Sequence, residues 1–176
     1  MNTSLHSRTD TWEAELNRWL PLLGHRNWVV VADSAYPAQS SPGIETTVTG
    51  TDHIEVLEKT LGAIAECKHI RARVCIDAEL QFVAEEDAPG VTEYRRKLKL
   101  LLRGLNTYEL NHEQIISKLD ECGKLFNVLI FKTTLNVPYT SIFLELDCGY
   151  WDDGAEKRLR ESFTKGRESP GNGHHR

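Results

Sequence analysis

The sequence predicts an α/β fold, a central sheet flanked by helices, and three observations predict it. The run Trp28-Val29-Val30-Val31-Ala32 is short, rich in β-branched residues and apolar on both faces, as a strand covered on both sides must be. Two later runs, Leu125 to Phe131 and Ile142 to Leu146, read as buried strands of the same kind. Between these runs lie segments whose apolar residues recur at helical spacing.

Trp12, Leu16, Trp19, Leu20 and Leu23 form the stripe of an amphipathic first helix, which Pro21 loosens or ends. The first strand follows, bounded by Gly24 and by the Tyr36-Pro37 turn. Turn formers fill Pro37 to Gly43, and Ile44 to Val48 reads as a short strand. Asp52 then caps a helix whose apolar face includes Ile54, Leu57, Leu61 and Ile64. Arg71 to Ile76 is a further strand, and Ala78 to Glu85 fits no single template. After the break at Asp87-Ala88-Pro89-Gly90, Thr92 opens a helix through Tyr94, Leu98, Leu101 and Leu102 that Gly104 closes. Thr107 to Leu110 is a brief strand. The next helix starts near His112, buries Ile115, Ile116 and Leu119, and is expected to end at Gly123.

At 176 residues, 40% hydrophobic and 27% charged, the chain has the size and composition of one globular domain. The expected organisation is a flexible N-terminus over 1–11, one domain over 12–151 and a charged, disordered tail over 152–176. A net charge of −5, with no basic stripe interleaved with aromatics, argues against nucleic acid or an anionic membrane as partner. The chain lacks an apolar run long enough to span a membrane, and its polar start lacks the apolar core of a signal peptide, so a cytoplasmic location is expected. Cys67, Cys75, Cys122 and Cys148 form no C-x-x-C pair and read as small apolar fillers. No zinc-like spacing appears, and His174 and His175 read as part of a solvated tail.

The residues that carry chemistry flank the first strand. His25 precedes it, and Asp33 follows it, at the carboxyl end where open α/β sheets gather their ligands. Taken alone, His25 closes the first helix on its last carbonyls, Asp33 is a turn former, and His53 and His69 are surface residues.

Four separated segments together resemble the ribose/fucose mutarotase family (the RbsD/FucU group). They are Leu23-Gly24-His25 with Val30-Val31-Ala32-Asp33 and Tyr36-Pro37-Ala38; Val83-Ala84-Glu85-Glu86 before a helix; His112-Glu113-Gln114 at a helix start; and Pro138-Tyr139-Thr140-Ser141 before an aliphatic strand. The resemblance spans roughly Leu16 to Gly149. It implies an RbsD-like layered sandwich with a central mixed β-sheet, ring-like homo-oligomers, and interconversion of free monosaccharide anomers without a cofactor or metal. It further implies that His25 is the catalytic acid/base, and that Asp33, His112, Tyr139, Thr140 and Ser141 bind the sugar, with His112 a possible second proton carrier. Imidazoles suit this chemistry because they exchange protons near neutral pH. Ser141 stands where the family has asparagine, Thr133-Thr134-Leu135 replaces a Thr-Gly-Glu turn, and Tyr108 takes the place of an arginine of fucose-type members. These departures admit a catalytically silent monosaccharide-binding module or an oligomeric scaffold as the alternative. His25 and Asp33 lie at opposite ends of one strand. They share a site if the His25 loop turns back, or if neighbouring subunits each contribute one of them.

Overall fold

The computed structural model describes residues 11–168. Its elements in chain order are α1 (Trp12–Trp19), β1 (Trp28–Ala32), β2 (Ile44–Val48), α2 (His53–Ala65), β3 (Ile70–Asp77), a 3-10 turn (Ala78–Phe82), α3 (Val91–Leu101), β4 (Thr107–Leu110), α4 (His112–Leu125), β5 (Val128–Lys132), β6 (Ile142–Cys148) and α5 (Asp153–Glu168). The six strands form one mixed sheet in the order β2-β5-β1-β6-β3-β4. β6 runs antiparallel to both of its neighbours, β1 and β3, and the other pairings are parallel. The carboxyl ends of five strands therefore share one sheet edge with the amino end of β6.

The alternation of side chains along each strand divides the core in two. Val29, Val31, Leu129, Phe131 and Leu144 pack with Trp12, Leu16, Val56, Leu57, Tyr94 and Leu98, so α1, α2 and α3 cover one face. Trp28, Val30, Cys75, Ile130 and Phe143 face Ile115 and Leu119, so α4 covers the other. All five residues of β1 are buried, as its uninterrupted apolar run predicts. The layered α/β class read from the sequence is the architecture observed.

Several boundaries move for physical reasons. Gly123 does not end α4, which continues to Leu125 and delays β5 to Val128. Gly123 is instead a point of close approach: a Cβ there would sit 2.8 Å from the Ile44 side chain. The ambiguous segment after β3 is the 3-10 turn. Part of the expected disordered tail is helical, because Asp152 accepts from the Ala155 N–H at 2.6 Å and Glu156 pairs with Arg160 one turn on. That helix, α5, leaves Leu159 and Phe163 exposed. The remaining expectations of disorder, at 1–10 and at 169–176 with His174 and His175, lie outside the described residues. All four cysteines are free thiols, with Cys75 and Cys122 buried. Among the described residues, no helix is long and apolar enough to cross a membrane.

Candidate functional site at the carboxyl edge of the sheet

Asp33 leaves the end of β1 and is held from two sides. Its Oδ1 accepts the Ala35 N–H at 2.8 Å, closing a local turn, and its Oδ2 accepts the Ser141 hydroxyl at 2.9 Å. The turn-forming reading of Asp33 is thus correct, but it leaves the other oxygen to join β1 to the start of β6. The Asp33 N–H also donates to Ser141 Oγ at 3.2 Å, so one short hydroxyl serves both the backbone and the carboxylate.

The loop before β6 is fixed from below. Thr140 is buried, its hydroxyl donates to the Val137 carbonyl at 2.7 Å, and its own carbonyl accepts the Tyr94 hydroxyl at 2.9 Å. Tyr94 lies against His53, whose Nε2–H donates to the Val31 carbonyl at 3.0 Å. His53 is fully buried, which corrects its reading as a surface residue. The helical phase carries the signal that reading missed, because His53, Val56, Leu57, Thr60 and Ile64 make the buried stripe of α2. Burial pushes the His53 imidazole down to about 4, against the opposing pull of the Val31 carbonyl and the charges of Asp52 and Asp33. Above this anchor Tyr139 takes φ 58°, a left-handed conformation that turns its exposed ring toward α4.

His112 meets it there. The two rings pack edge to face with centroids 5.5 Å apart. His112 is the first residue of α4, and the Glu79 carboxylate accepts its backbone N–H at 3.0 and 3.1 Å. Its Nδ1 lies 3.0 Å from Asp77 Oδ1, at the end of β3. Asp77 Oδ2 is buried and has no hydrogen-bond partner. Desolvation pushes the Asp77 carboxyl up to about 6; the His112 imidazole opposes this, and the charges of Glu79 and Asp33 add to it. The Tyr36 hydroxyl is also buried without a partner, and burial followed by the charges of Asp120, Asp33 and Asp77 raises its pKa.

One sheet edge therefore gathers Asp33, His112, Tyr139, Thr140 and Ser141, five of the six residues proposed from the sequence. Asp77, Glu79 and Tyr36 were not among them. Asp77 ends a strand on the same edge as Asp33, which was the available signal.

His25 is elsewhere. Its Nδ1 lies 3.1 Å from Asp147 Oδ1 near the far end of β6, and the same carboxylate accepts from Arg71 at 2.7 Å. Burial opposes ionisation of Asp147, but hydrogen bonds from Arg71, the Cys148 N–H and His25 outweigh it and hold the carboxyl below its ordinary range. The loop does not turn back to Asp33, so that intramolecular alternative is excluded. Nor does His25 close α1, since His69 Nε2 takes the Leu20 and Leu23 carbonyls at 3.2 Å each. Tyr108 lies off the edge as well, donating to Glu145 Oε2 at 2.7 Å.

A cleft of about 660 Å³ lies on the α3 face beside β4, with an apolar floor of Ile76, Leu80, Leu98 and Leu102 and a rim including Lys99 and Arg103. Asp77 borders this cleft, and Asp33, His112, Tyr139 and Ser141 lie along the carboxyl edge of the sheet. Among the described residues, no three His, Cys, Asp or Glu side chains are arranged to hold a metal ion.

The fold defined by this sheet and its two helical layers is shared with solved structures of RbsD, FucU and a fucose mutarotase. Bacillus subtilis RbsD complexed with D-ribose superposes with a TM-score of 0.52 at 20% identity, covering 84% of this chain and 96% of that one. The fucose mutarotase from Streptococcus pneumoniae in complex with L-fucose gives 0.50 at 20% identity, with 76% and 91% covered. FucU from Bifidobacterium longum gives 0.50 at 18% identity, with 76% and 92% covered. No family model and no curated protein matches the sequence. The likeness is one of fold.

Proposed function

We propose that this protein is a cofactor-free monosaccharide mutarotase that opens and recloses the sugar ring by acid/base catalysis. The observation that carries this reading is the convergence of His112, Asp33, Ser141 and Tyr139 on one sheet edge, within a fold shared with proteins solved bound to ribose and fucose. In the reaction, a base takes the proton of the anomeric hydroxyl. The bond between C1 and the ring oxygen breaks, its electron pair goes to that oxygen, and an acid supplies the proton that oxygen needs. The open-chain aldehyde then turns its carbonyl and recloses by the reverse transfers. Two proton carriers are required, and imidazoles serve both roles near neutral pH.

Among the described residues, two imidazoles stand with Nδ1 against a carboxylate, His112 beside Asp77 and His25 beside Asp147. His25 is 60% exposed at the opposite sheet edge, a placement suited to completing the site of a neighbouring copy in a ring-like homo-oligomer. Asp33, Ser141 and Tyr139, with the backbone at Thr140, hold the remaining hydroxyls in this reading.

Saturation-transfer NMR over a panel of aldoses tests the proposal. Exchange faster than buffer, abolished in His25→Ala with the oligomer intact, is the expected result. Exchange at the wild-type rate in His25→Ala refutes the catalytic role of His25. Ligand shifts without exchange for any sugar select a silent monosaccharide-binding module. That second reading is favoured by one observation, the separation of the two imidazoles within a single chain.

A further inference from the structure

We infer that Asp77 is a positioning residue that fixes the tautomer of His112, so that Nε2 is the atom that takes the proton of the anomeric hydroxyl; the inference rests on the mutarotase reading. The geometry assigns the two residues unequal parts. The Asp77 side chain is 0% exposed and cannot touch a substrate, whereas the His112 side chain is 36% exposed beside the Tyr139 ring. Asp77 acts only through His112.

Three contacts define what it does there. The carboxylate faces Nδ1 at 3.0 Å, and an ionised carboxylate only accepts, so Nδ1 carries the hydrogen. Asp77 Oδ2 has no partner, which leaves Nδ1–H as the side-chain donor satisfying this buried charge. Glu79 holds the backbone N–H of the same residue at 3.0 Å, so both the main chain and the ring of His112 are restrained. Nε2 makes no hydrogen bond among the described residues and is left unprotonated on the exposed side of the ring. When it takes the anomeric proton, the imidazolium formed lies against the Asp77 carboxylate, and the proton returns to the sugar as the ring recloses. A histidine that only bound sugar hydroxyls would need no such partner.

The test is nitrogen-15 NMR of the His112 ring in the full-length protein above neutral pH, with anomer-exchange kinetics on the same samples. The wild type is expected to show protonated Nδ1 and bare Nε2. Asp77→Leu, which keeps the site filled and removes the unpartnered oxygen, is expected to move His112 toward the Nε2–H form. It should also lower kcat at least about tenfold while KM stays within about threefold, the split expected when a group acts on the transition state more than on binding. A protonated Nε2 in the wild type overturns the inference, as does an unchanged kcat in a folded Asp77→Leu protein. The wild-type spectrum needs neither a variant nor activity, so it decides the tautomer even if no sugar exchanges. Absence of exchange in the wild type counts against the mutarotase reading itself.

Discussion

Replacing the buried His53 is expected to remove a defined acid instability. Its folded pKa of about 4 lies below the ordinary 6.5, so between these values the unfolded chain binds a proton that the folded chain refuses. Stability from this residue is fully present above about pH 6.5 and falls as the pH drops toward about 4. From about pH 7.5 to about pH 4.5 the loss is about 2.5 kcal/mol, worked from the two pKa values at 1.36 kcal/mol per unit. Asp77 opposes it, because its carboxyl is raised from 3.8 to about 6 and the folded state takes up a proton first. Over the same interval Asp77 returns about 2 kcal/mol, so the wild type is expected to show a shallow net change. Urea unfolding at both pH values separates the two. Asp77→Asn should unmask the full acid loss, and adding His53→Gln, whose amide can still donate to Val31, should remove it. An acid loss in Asp77→Asn that survives His53→Gln refutes the assignment.

Glu85 accepts the Gly90 and Thr92 N–H groups at 2.5 and 2.8 Å, and these bonds, with the Thr92 side chain foremost, hold its carboxyl down to about 2. Glu85→Gln is expected to lower the melting temperature at neutral pH, and the deficit should shrink as pH falls from about 4.5 toward about 2, read by calorimetry. A Cβ at Gly43 would stand 2.5 Å from the Phe126 carbonyl oxygen, a backbone atom, whereas at Gly123 it meets the movable end of Ile44. Gly43→Ala is therefore expected to cost about 1–3 kcal/mol in urea unfolding and Gly123→Ala less, the usual scale of overpacking. Ser141→Ala removes the hydroxyl that orients Asp33, and titration calorimetry with a bound aldose is expected to show affinity about tenfold lower, the loss of about one hydrogen bond to a charged group.

What the sequence made legible follows from periodicity. Val29 to Val31 announced a central strand because burial on both faces needs no polar alternation, and Asp33 and Asp52 announced their turn and cap through local hydrogen bonds. Local chemistry cannot show which distant carboxylate an imidazole meets. His112 and Asp77 are 35 positions apart, and only the strand order brings them together. His53 was misread because a polar residue in an apolar phase looks exposed until its partners, Val31 and Tyr94, are known. The α5 segment was misread because its charges pair along the helix instead of burying a core face.

The topology also explains why the two imidazoles cannot cooperate within one chain. β6 is the antiparallel strand, so its amino end delivers Ser141 to Asp33 while its other end carries Asp147 to His25. Along Ile142–Cys148, at roughly 3.3 Å per residue, those ends are about 20 Å apart, several times the reach of a shared proton transfer on one sugar. Each end nevertheless holds a histidine whose Nδ1 is occupied by a carboxylate and whose Nε2 makes no hydrogen bond among the described residues. On the mutarotase reading proposed above, histidines at both edges of the sheet act on one sugar only where edges of different copies meet. Chemistry that needs two carriers at one sugar then belongs to the assembly, whereas binding needs one edge alone. Dilution to isolated chains should accordingly abolish anomer exchange while leaving ligand shifts at the His112 edge. Exchange that persists in the isolated chain would assign both proton transfers to the His112 edge and remove His25 from the reaction.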